Sequence, residues 1–358
     1  MGRTSSQPIE RGCAMSRSRQ SSLALAAFVI VVGAGCEREG VGPTASSRAN
    51  AMGEYPLGNL QKLAYSTWSV AMPIEQFPPG ADDGFNTASL DGCPFISRDG
   101  KTFYIASTRP GGLGGIDIWV STRASVDDPW GEPVNVGAPV NSSADDFCPT
   151  IARDGHLFYF VSRRSGGCGG ADIYVTRLRD DKGFEATENV GCNVNSAADE
   201  ASPFPLPQSS TGPVLYFSSN RAGGFAPDAP GAPIGDSDIY MSESHGGVWG
   251  PSLLVGVNSA AEDAQPNVRR DGLEIFFFST RPGTLGMADL YAATRAKTSA
   301  SWSAPVNLGS SVNSPAAETR PSLSWDGTTL YFGSTRPGGE GMIDIYVTTR
   351  AKVTGADK

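Results

Sequence analysis

The stretch STRPGGEGMIDIYV, from Ser334 to Val347, is the clearest copy of a pattern that this chain repeats five times. The other copies begin at Ser107, Ser162, Ser219 and Ser279. Each copy follows an apolar and aromatic run, passes an arginine and a glycine-rich turn, and resumes with Asp-Ile or Asp-Leu before an aromatic residue. Two apolar runs separated by turn residues predict two β-strands joined by a loop.

The composition favours an all-β protein. The 358 residues are 39% hydrophobic, enough for a sizeable core, and they include 44 glycines and 26 prolines, which supply many turns. The 28 basic residues are outnumbered by 37 acidic ones, for a net charge of -9. With no basic cluster in the sequence, we expect no nucleic-acid partner.

The N-terminus predicts export. Two arginines precede the apolar run Leu23 to Val32, which is too short to span a bilayer, so residues 1–35 are predicted to be a signal peptide. The run ends in VVGAGC at Cys36, which resembles the lipobox of bacterial lipoproteins and implies a lipid anchor on that cysteine. With Glu37 next in the chain, the resemblance implies the outer membrane, facing the periplasm or the cell surface. Ordinary cleavage and secretion is the alternative.

The rest of the chain divides into a tether, a repeat domain and a tail. We expect a flexible tether at 36–64, a folded domain at 65–350 and a C-terminal tail at 351–358. The aspartates of the Asp-Ile and Asp-Leu pairs are separated by 55, 66, 51 and 55 residues. A period of this size is typical of solenoids and propellers. These aspartates are Asp117, Asp172, Asp238, Asp289 and Asp344.

Each repeat can be divided into four short strands. In the first repeat we predict strands at 94–97, 102–107, 116–122 and around 133–136, with a tight Asp-Gly hairpin between the first two. Five such units predict a five-bladed β-propeller with four-stranded antiparallel blades. The chain ends after the third strand of the last unit, and Trp68-Ser69-Val70 resembles a fourth-strand segment, so an N-terminal strand is expected to close the ring. Six blades is the alternative, although the tether before Tyr65 is too short for another unit.

The repeat resembles a known family. Pro-x-x-Ser-x-Asp-Gly before an aromatic strand, then Ser-x-Arg-x-Gly-Gly and Asp-Ile-Tyr-Val, is similar to the WD40-like repeats of periplasmic TolB-type propellers. The resemblance covers residues 68 to 350. It implies a propeller scaffold and says little about function, because such scaffolds serve many unrelated roles.

Three repeated polar features are predicted to share one face of the propeller, because strand directions alternate within a blade. An acidic residue precedes each innermost strand, at Asp91, Asp146, Glu200, Asp263 and Glu318. An arginine follows each second strand, at Arg109, Arg164, Arg221, Arg281 and Arg336. An asparagine with a following Ser or Thr lies in each connector, at Asn86, Asn141, Asn195, Asn258 and Asn313, where its side chain can fix the crossing between blades.

Two interpretations of the acids and arginines remain open. In the first, the arginines pair with these acids or with the Asp-Ile aspartates as a structural clamp in every blade. In the second, the acidic ring is partly unpaired and binds a cation or a cationic group of a partner. A structural calcium ion bound by these clustered oxygens is a further, minor possibility. Otherwise we expect no cofactor.

The third repeat breaks the symmetry. Its arginine and aspartate, Arg221 and Asp238, are 17 residues apart, whereas the interval is 8 in the other repeats. The insertion FAPDAPGAPIGDSD holds Asp228 and Asp236, on the same predicted face. Long loops on rigid scaffolds often carry binding sites, so we expect these two aspartates to contribute to specificity, with an inert surface insertion as the alternative.

The cysteines indicate disulfides. After removal of the signal peptide and modification of Cys36, four cysteines remain, an even number in an exported protein. Four cysteines allow three pairings, which the sequence does not decide. We expect the pairing of neighbouring equivalents, and the absence of Cys-x-x-Cys argues against zinc. The expected pairs are Cys93 with Cys148 and Cys168 with Cys192.

The sequence favours a binding protein over an enzyme. It contains no Gly-x-Ser-x-Gly, His-Glu-x-x-His or Walker motif, and only two histidines. We therefore predict a monomeric, non-enzymatic exported lipoprotein that binds a cell-envelope protein, peptide or glycan. The alternative is a glycoside hydrolase that uses two channel-mouth carboxylates, for instance Glu200 and Glu318, as acid and base.

Overall fold

A computed structural model describes residues 65–77, 84–179, 183–207, 212–225 and 236–353. Within these ranges the protein is all-β, with a single short 3-10 helix at Ile74–Gln76. The strands form five separate antiparallel sheets, each a blade. None of the described residues forms a helix that is long and apolar enough to cross a membrane.

Four strands make each blade, counted from the channel outward. Blade 1 has β2 (Asp91–Ile96), β3 (Thr102–Ser107), β4 (Asp117–Thr122) and β5 (Val134–Asn135). Blade 2 has β6 (Asp146–Ile151), β7 (Leu157–Ser162), β8 (Asp172–Arg177) and β9 (Glu188–Asn189). Blade 3 has β10 (Glu200–Pro207), β11 (Pro213–Ser219) and β12 (Asp238–His245), and its outer edge is split between β13 (Val248–Trp249) and β14 (Leu253–Leu254).

The last two blades complete the ring. Blade 4 has β15 (Asp263–Val268), β16 (Glu274–Ser279), β17 (Asp289–Thr294) and β18 (Val306–Asn307). Blade 5 has β19 (Glu318–Leu323), β20 (Thr329–Ser334) and β21 (Asp344–Thr349), and its fourth strand is the N-terminal β1 (Met72–Pro73). The prediction of a five-bladed propeller closed by an N-terminal strand is therefore confirmed. Met72 lies opposite Val347 in this closing pair.

Two faces follow from this topology. The connector face carries the five blade-to-blade connectors and the starts of the innermost strands. The hairpin face carries the tight turns between the first and second strands. At Asp99-Gly100 the Asp99 carboxylate accepts bonds from the Ser97 hydroxyl and the Lys101 N–H, while Gly100 has a φ of 69°, which glycine adopts without steric cost.

Every innermost strand bends at the same place. Its register shifts around the residue before the proline that occurs in all five repeats, and that residue has a left-handed φ between 47° and 59° although it is not glycine. Such bulges change the direction of a strand and re-aim its side chains. The five bulge residues line the narrow part of the central channel, and they are Cys93, Cys148, Ser202, Gln265 and Arg320.

The hydrophobic core lies between the blades. Aromatic side chains on the faces of neighbouring sheets pack at angles that suit their quadrupoles. Tyr104 of blade 1 meets Phe158 of blade 2 with ring centroids 5.2 Å apart, and Phe103 of blade 1 meets Tyr331 of blade 5 at 5.0 Å. Because the second pair bridges the first and last blades, aromatic packing stabilises the closure of the ring.

The connector asparagines tie neighbouring blades together. Asn141 is buried, and its side chain accepts from the Ile118 N–H at 2.9 Å and donates to the Ile118 carbonyl at 2.9 Å. It therefore hydrogen-bonds to both backbone groups of Ile118 in the third strand of blade 1, as a neighbouring β-strand would. Asn86 makes the same two bonds to Ile345 of blade 5, so the closure uses the connection found inside the ring.

We predict that Asn141→Ala destabilises the protein by about 1–3 kcal/mol, because a buried N–H and carbonyl lose their partner. Chemical denaturation measures the change. Asn193→Ala is the matched control, because Asn193 is exposed and its one side-chain bond, to the Trp249 carbonyl, can be replaced by water, so its loss should change stability by no more than about 0.5 kcal/mol. Equal effects of the two variants would contradict this role for the connector asparagines.

Candidate functional site

The repeated acids on the connector face are buried at the centre of a clamp. In blade 2, one oxygen of Asp146 accepts from Arg164 at 2.8 Å. Its other oxygen accepts from the N–H and the hydroxyl of Ser142, in the connector that enters the blade, at 2.6 and 2.7 Å. Arg164 also donates to the Ser162 hydroxyl at 2.7 Å and to carbonyls of the connector. One carboxylate thereby joins a connector and the end of a second strand.

The same clamp occurs in all five blades. Each repeated acid has no exposed surface, and each forms a salt bridge with the arginine of its own blade. The pairs are Asp91 with Arg109, Asp146 with Arg164, Glu200 with Arg221, Asp263 with Arg281 and Glu318 with Arg336. The arginines form their salt bridges with these acids and not with the aspartates of the Asp-Ile pairs. The five carboxylates therefore do not face an open channel, and Glu200 and Glu318 are held in ion pairs instead of facing a substrate.

The aspartates of the Asp-Ile pairs hold the glycine-rich loops. Asp117 accepts from the Leu113 N–H at 2.6 Å, and Asp238 accepts from the Phe225 N–H at 2.7 Å. Burial raises the pKa of Asp117, Asp238 and Asp344. The next residue but one is aromatic and lies under the clamp arginine, as Tyr346 does 4.5 Å from the Arg336 guanidinium carbon. The arginine, the repeated acid, the aspartate and the aromatic residue of the motif thus all take part in holding a blade together.

The four remaining cysteines form two disulfides. The structure pairs Cys93 with Cys148 and Cys168 with Cys192. The first bond links the innermost strands of blades 1 and 2 beside the channel. Among the described residues no group of three His, Cys, Asp or Glu side chains could hold a metal ion together. His156 and His245 are both exposed.

The insertion of blade 3 lies partly outside the described residues. Asp228 and the lipidation candidate Cys36 lie outside them, as do the predicted signal peptide and tether. Asp236 is exposed and stands two residues before β12. The backbone next to it is fixed, because the Asp263 N–H donates to the Ser237 carbonyl at 2.9 Å. The insertion therefore ends beside the start of blade 4.

Glu262 is the unusual carboxyl group at this junction. It is 6% exposed, and its Oε1 atom is buried without a hydrogen-bond partner. Burial raises the pKa of Glu262 to about 8, and the negative charges of Asp236 and Asp263 act in the same direction. At neutral pH this carboxyl group therefore carries a proton. It lies on the connector face, beside the end of the insertion.

Comparison with the other blades shows why Glu262 differs. Asp199 is at the same position before a repeated acid, and it pairs with Arg163 at 3.0 Å and accepts from the Ala171 N–H at 2.8 Å. Glu262 has neither partner among the described residues. The sequence alone did not predict a role for Glu262, because the acid that recurs in every repeat is its neighbour Asp263. The available signal was that this position varies between repeats: Leu90, Asp145, Asp199, Glu262 and Ala317.

Comparison with solved structures agrees with the fold. The catalytic domain of a GH62 α-L-arabinofuranosidase from Coprinopsis cinerea has a TM-score of 0.52 at 13% identity, over 82% of this chain and all of that one. An endo-arabinase from Bacteroides thetaiotaomicron has a TM-score of 0.48 at 14% identity, over 76% and 99% of the two chains. A protein described as TolB from Agrobacterium tumefaciens has a TM-score of 0.43 at 17% identity, over 72% and 81%. No protein-family model and no curated protein matches this sequence.

These comparisons correct one prediction. The sequence favoured a non-enzymatic scaffold, and the comparison contradicts this prediction, because the similar structure with a TM-score of 0.52 is the catalytic domain of an α-L-arabinofuranosidase. At 13% identity the likeness establishes the fold alone, so a reaction has to be argued from the residues of this chain.

We predict that Arg164→Met lowers the free energy of unfolding by about 3 kcal/mol, because it leaves the buried Asp146 carboxylate without its counter-charge. Chemical denaturation measures the change. Arg163→Met is the control in the next position, since the Arg163 pair is more exposed and should contribute about 1 kcal/mol or less. An effect of Arg164→Met no larger than the control would exclude the clamp as a main source of stability.

We predict a pH-dependent stability from Glu262. The unfolded group ionises near 4.5 and the folded group near 8, so the folded state keeps its proton longer and stability falls as the pH rises between these values. Glu262→Gln removes this dependence. The stability difference between variant and wild type should therefore shift in favour of the variant by up to about 1.4 kcal/mol per pH unit. The denaturant midpoint of each protein is measured as a function of pH. If the curves of the wild type and Glu262→Gln run parallel, the raised pKa of Glu262 is excluded. Glu132→Gln, at an exposed glutamate, is the control.

Proposed function

We propose that this propeller hydrolyses glycosidic bonds, with Glu262 as the proton donor. The observation that carries the proposal is the buried carboxyl group of Glu262, whose Oε1 atom has no partner and whose pKa is about 8. It lies on the connector face, where the five repeated carboxylates are paired with arginines in salt bridges. A protonated acid at neutral pH, free of an ion pair, is what a glycosidase needs to protonate a leaving oxygen.

The second group of the reaction is assigned to Asp236. Glycoside hydrolysis uses two carboxyl groups, one that donates a proton and one that activates water or attacks the sugar. Asp236 is exposed to solvent, and its charge acts on Glu262, so it is the carboxylate of the insertion that can share a substrate with that acid. Placing the base on the insertion agrees with the expectation that this loop determines specificity.

The substrate class is taken from the similar structure whose TM-score is 0.52. That protein is named as an α-L-arabinofuranosidase, and it shares the five-bladed fold. We therefore assign α-L-arabinofuranosyl linkages as the first substrates to test. The shared fold supports a common propeller scaffold. The residues proposed to carry out the reaction, Glu262 and Asp236, are inferred from this chain.

We further propose that the protein works outside the cytoplasm, as an exported lipoprotein of the TolB-type repeat class. The two disulfides support this location, because structural disulfides persist mainly in oxidising compartments. Labelling with a radioactive fatty acid, in the natural protein and in Cys36→Ala, tests the anchor. Loss of the label in the variant is expected, and label retained in it would exclude Cys36 as the attachment site.

We predict hydrolysis of arabinan and of p-nitrophenyl α-L-arabinofuranoside by the full chain, with kcat/KM falling above about pH 8 as Glu262 loses its proton. Glu262→Gln should lower the rate on arabinan about 100-fold or more. The loss should be smaller on the aryl glycoside, because nitrophenolate leaves without protonation.

Two controls accompany this experiment. Glu132→Gln alters an exposed glutamate in blade 1 and should keep the wild-type rate on both substrates. Equal losses on both substrates would show that Glu262 is not the proton donor. No turnover by the wild type on a panel of arabinan, xylan and aryl glycosides would remove the proposed activity.

A further inference from the structure

The hairpin face contains a site that the proposed hydrolysis does not use. The central channel widens there into a cavity of about 450 Å³, within the size range of small-molecule pockets. Its rim is formed by the residues just before the Asp-Gly turns. In blades 1, 2 and 4 this residue is an arginine, and in blade 5 it is Trp325: the arginines are Arg98, Arg153 and Arg270.

The three arginines converge on one aromatic ring. The guanidinium carbons of Arg98, Arg153 and Arg270 lie 5.0, 5.8 and 5.9 Å from the centre of the Trp325 ring. Four different blades thus bring three cations and an indole to one place. All three arginines are exposed, so a ligand can reach them.

No carboxylate neutralises this group of arginines within the described part of the chain. The nearby aspartates serve their own turns. Asp99 accepts from Lys101 N–H, Asp154 accepts from His156 N–H at 2.9 Å, and Asp271 pairs with Arg269 at 2.9 Å. Arg98, Arg153 and Arg270 form no salt bridge with any described residue. Three unpaired cations around one ring repel one another, so an anion placed between them is favoured.

A fourth guanidinium lies deeper in the same channel. Arg320 is one of the five bulge residues, and its Nε and Nη1 atoms are buried without hydrogen-bond partners. Burial lowers the pKa of Arg320 to about 10, so it remains charged at neutral pH. Phe95 and Phe204 line both the wide mouth and the narrow part. The channel therefore carries basic side chains both at its rim and in its narrow part, in a chain whose net charge is -9.

The walls indicate an organic ligand. Between the arginines and the narrow part, the cavity is lined by apolar side chains such as Phe95, Ile151 and Leu323. A bare inorganic anion would leave these walls unused, whereas an organic acid places its charge at the rim and its body against them. Guanidinium groups bind a planar carboxylate through two parallel hydrogen bonds.

We propose that the hairpin-face cavity binds a small organic carboxylate, held by Arg98, Arg153 and Arg270. The carboxylate belongs to a sugar acid or to the C-terminus of a peptide, which share this chemistry. The site is on the face opposite Glu262, so its occupancy does not depend on the proposed hydrolysis.

Isothermal titration calorimetry with the full chain tests the site. The probes are D-glucuronate, N-acetyl-alanyl-phenylalanine, inorganic phosphate and glucose. We expect at least one organic carboxylate to bind with a Kd of about 1 mM or tighter. Phosphate and glucose should bind at least about tenfold more weakly. The probe that binds distinguishes a sugar acid from a peptide terminus.

Variants separate this site from non-specific attraction. The triple variant Arg98→Gln, Arg153→Gln, Arg270→Gln should abolish the heat of binding, and Arg153→Gln alone should weaken binding about tenfold. Arg177→Gln, an exposed arginine on β8, is the control and should bind as the wild type does. Circular dichroism melts establish that each variant is folded. If the triple variant fails to fold, the single variant and a fall in wild-type affinity with added salt carry the test.

Three results would overturn the proposal. The first is the absence of binding for both organic carboxylates. The second is binding of phosphate as tight as that of the more tightly bound carboxylate, which would identify a bare anion site. The third is unchanged affinity in a folded triple variant or in Arg153→Gln.

Discussion

The buried carboxylate at the start of each innermost strand is the interaction on which the connector face depends. In blade 1, Asp91 accepts from the incoming connector through Thr87, from the end of the second strand through Ser107, and from Arg109. These groups come from the connector, from the end of the second strand and from the loop that follows it, and one carboxylate bonds to all three. Since the carboxylate has no exposed surface, losing one partner leaves charge where water cannot compensate. The repeat therefore has little freedom to change at this residue.

The clamp also determines where the charge of the protein is available. It uses five acids and five arginines in pairs, so the ring of acids contributes no free charge to the channel. Three arginines that form no salt bridge with any described residue lie at the other end, where Arg98 and Arg153 precede Asp-Gly turns whose aspartates are occupied by backbone N–H groups. An acidic chain thus presents a basic cavity. Net charge alone would have indicated the opposite sign for the channel.

The fold was predictable from sequence because its determinants are local. Asp-Gly pairs specify hairpins, and the repeat period and the leftover Trp68 segment specify five blades with a closing strand. The position of the repeated acids was also predictable, because strand direction assigns them to one face. Whether Asp91 faces solvent or Arg109 was not, since both are compatible with the same spacing. The roles of Glu262 and the rim arginines were not predictable, because their environments are formed by residues that are far apart in sequence.

The difference between repeated and unrepeated residues has a physical basis. A side chain present in every blade, such as the clamp arginine, finds its partners within its own blade and the connector entering it, and satisfying it five times leaves nothing for a ligand. A ligand on the axis touches several blades at once, so its site needs residues that those blades do not satisfy internally. Glu262 has lost the arginine partner that Asp199 keeps, and Trp325 replaces the arginine found in three other blades. Both proposed sites lie near a buried polar atom that has no hydrogen-bond partner in the described part of the chain, Oε1 of Glu262 on one face and Nε of Arg320 in the channel. A ligand that binds the folded protein and not the unfolded chain stabilises the folded state.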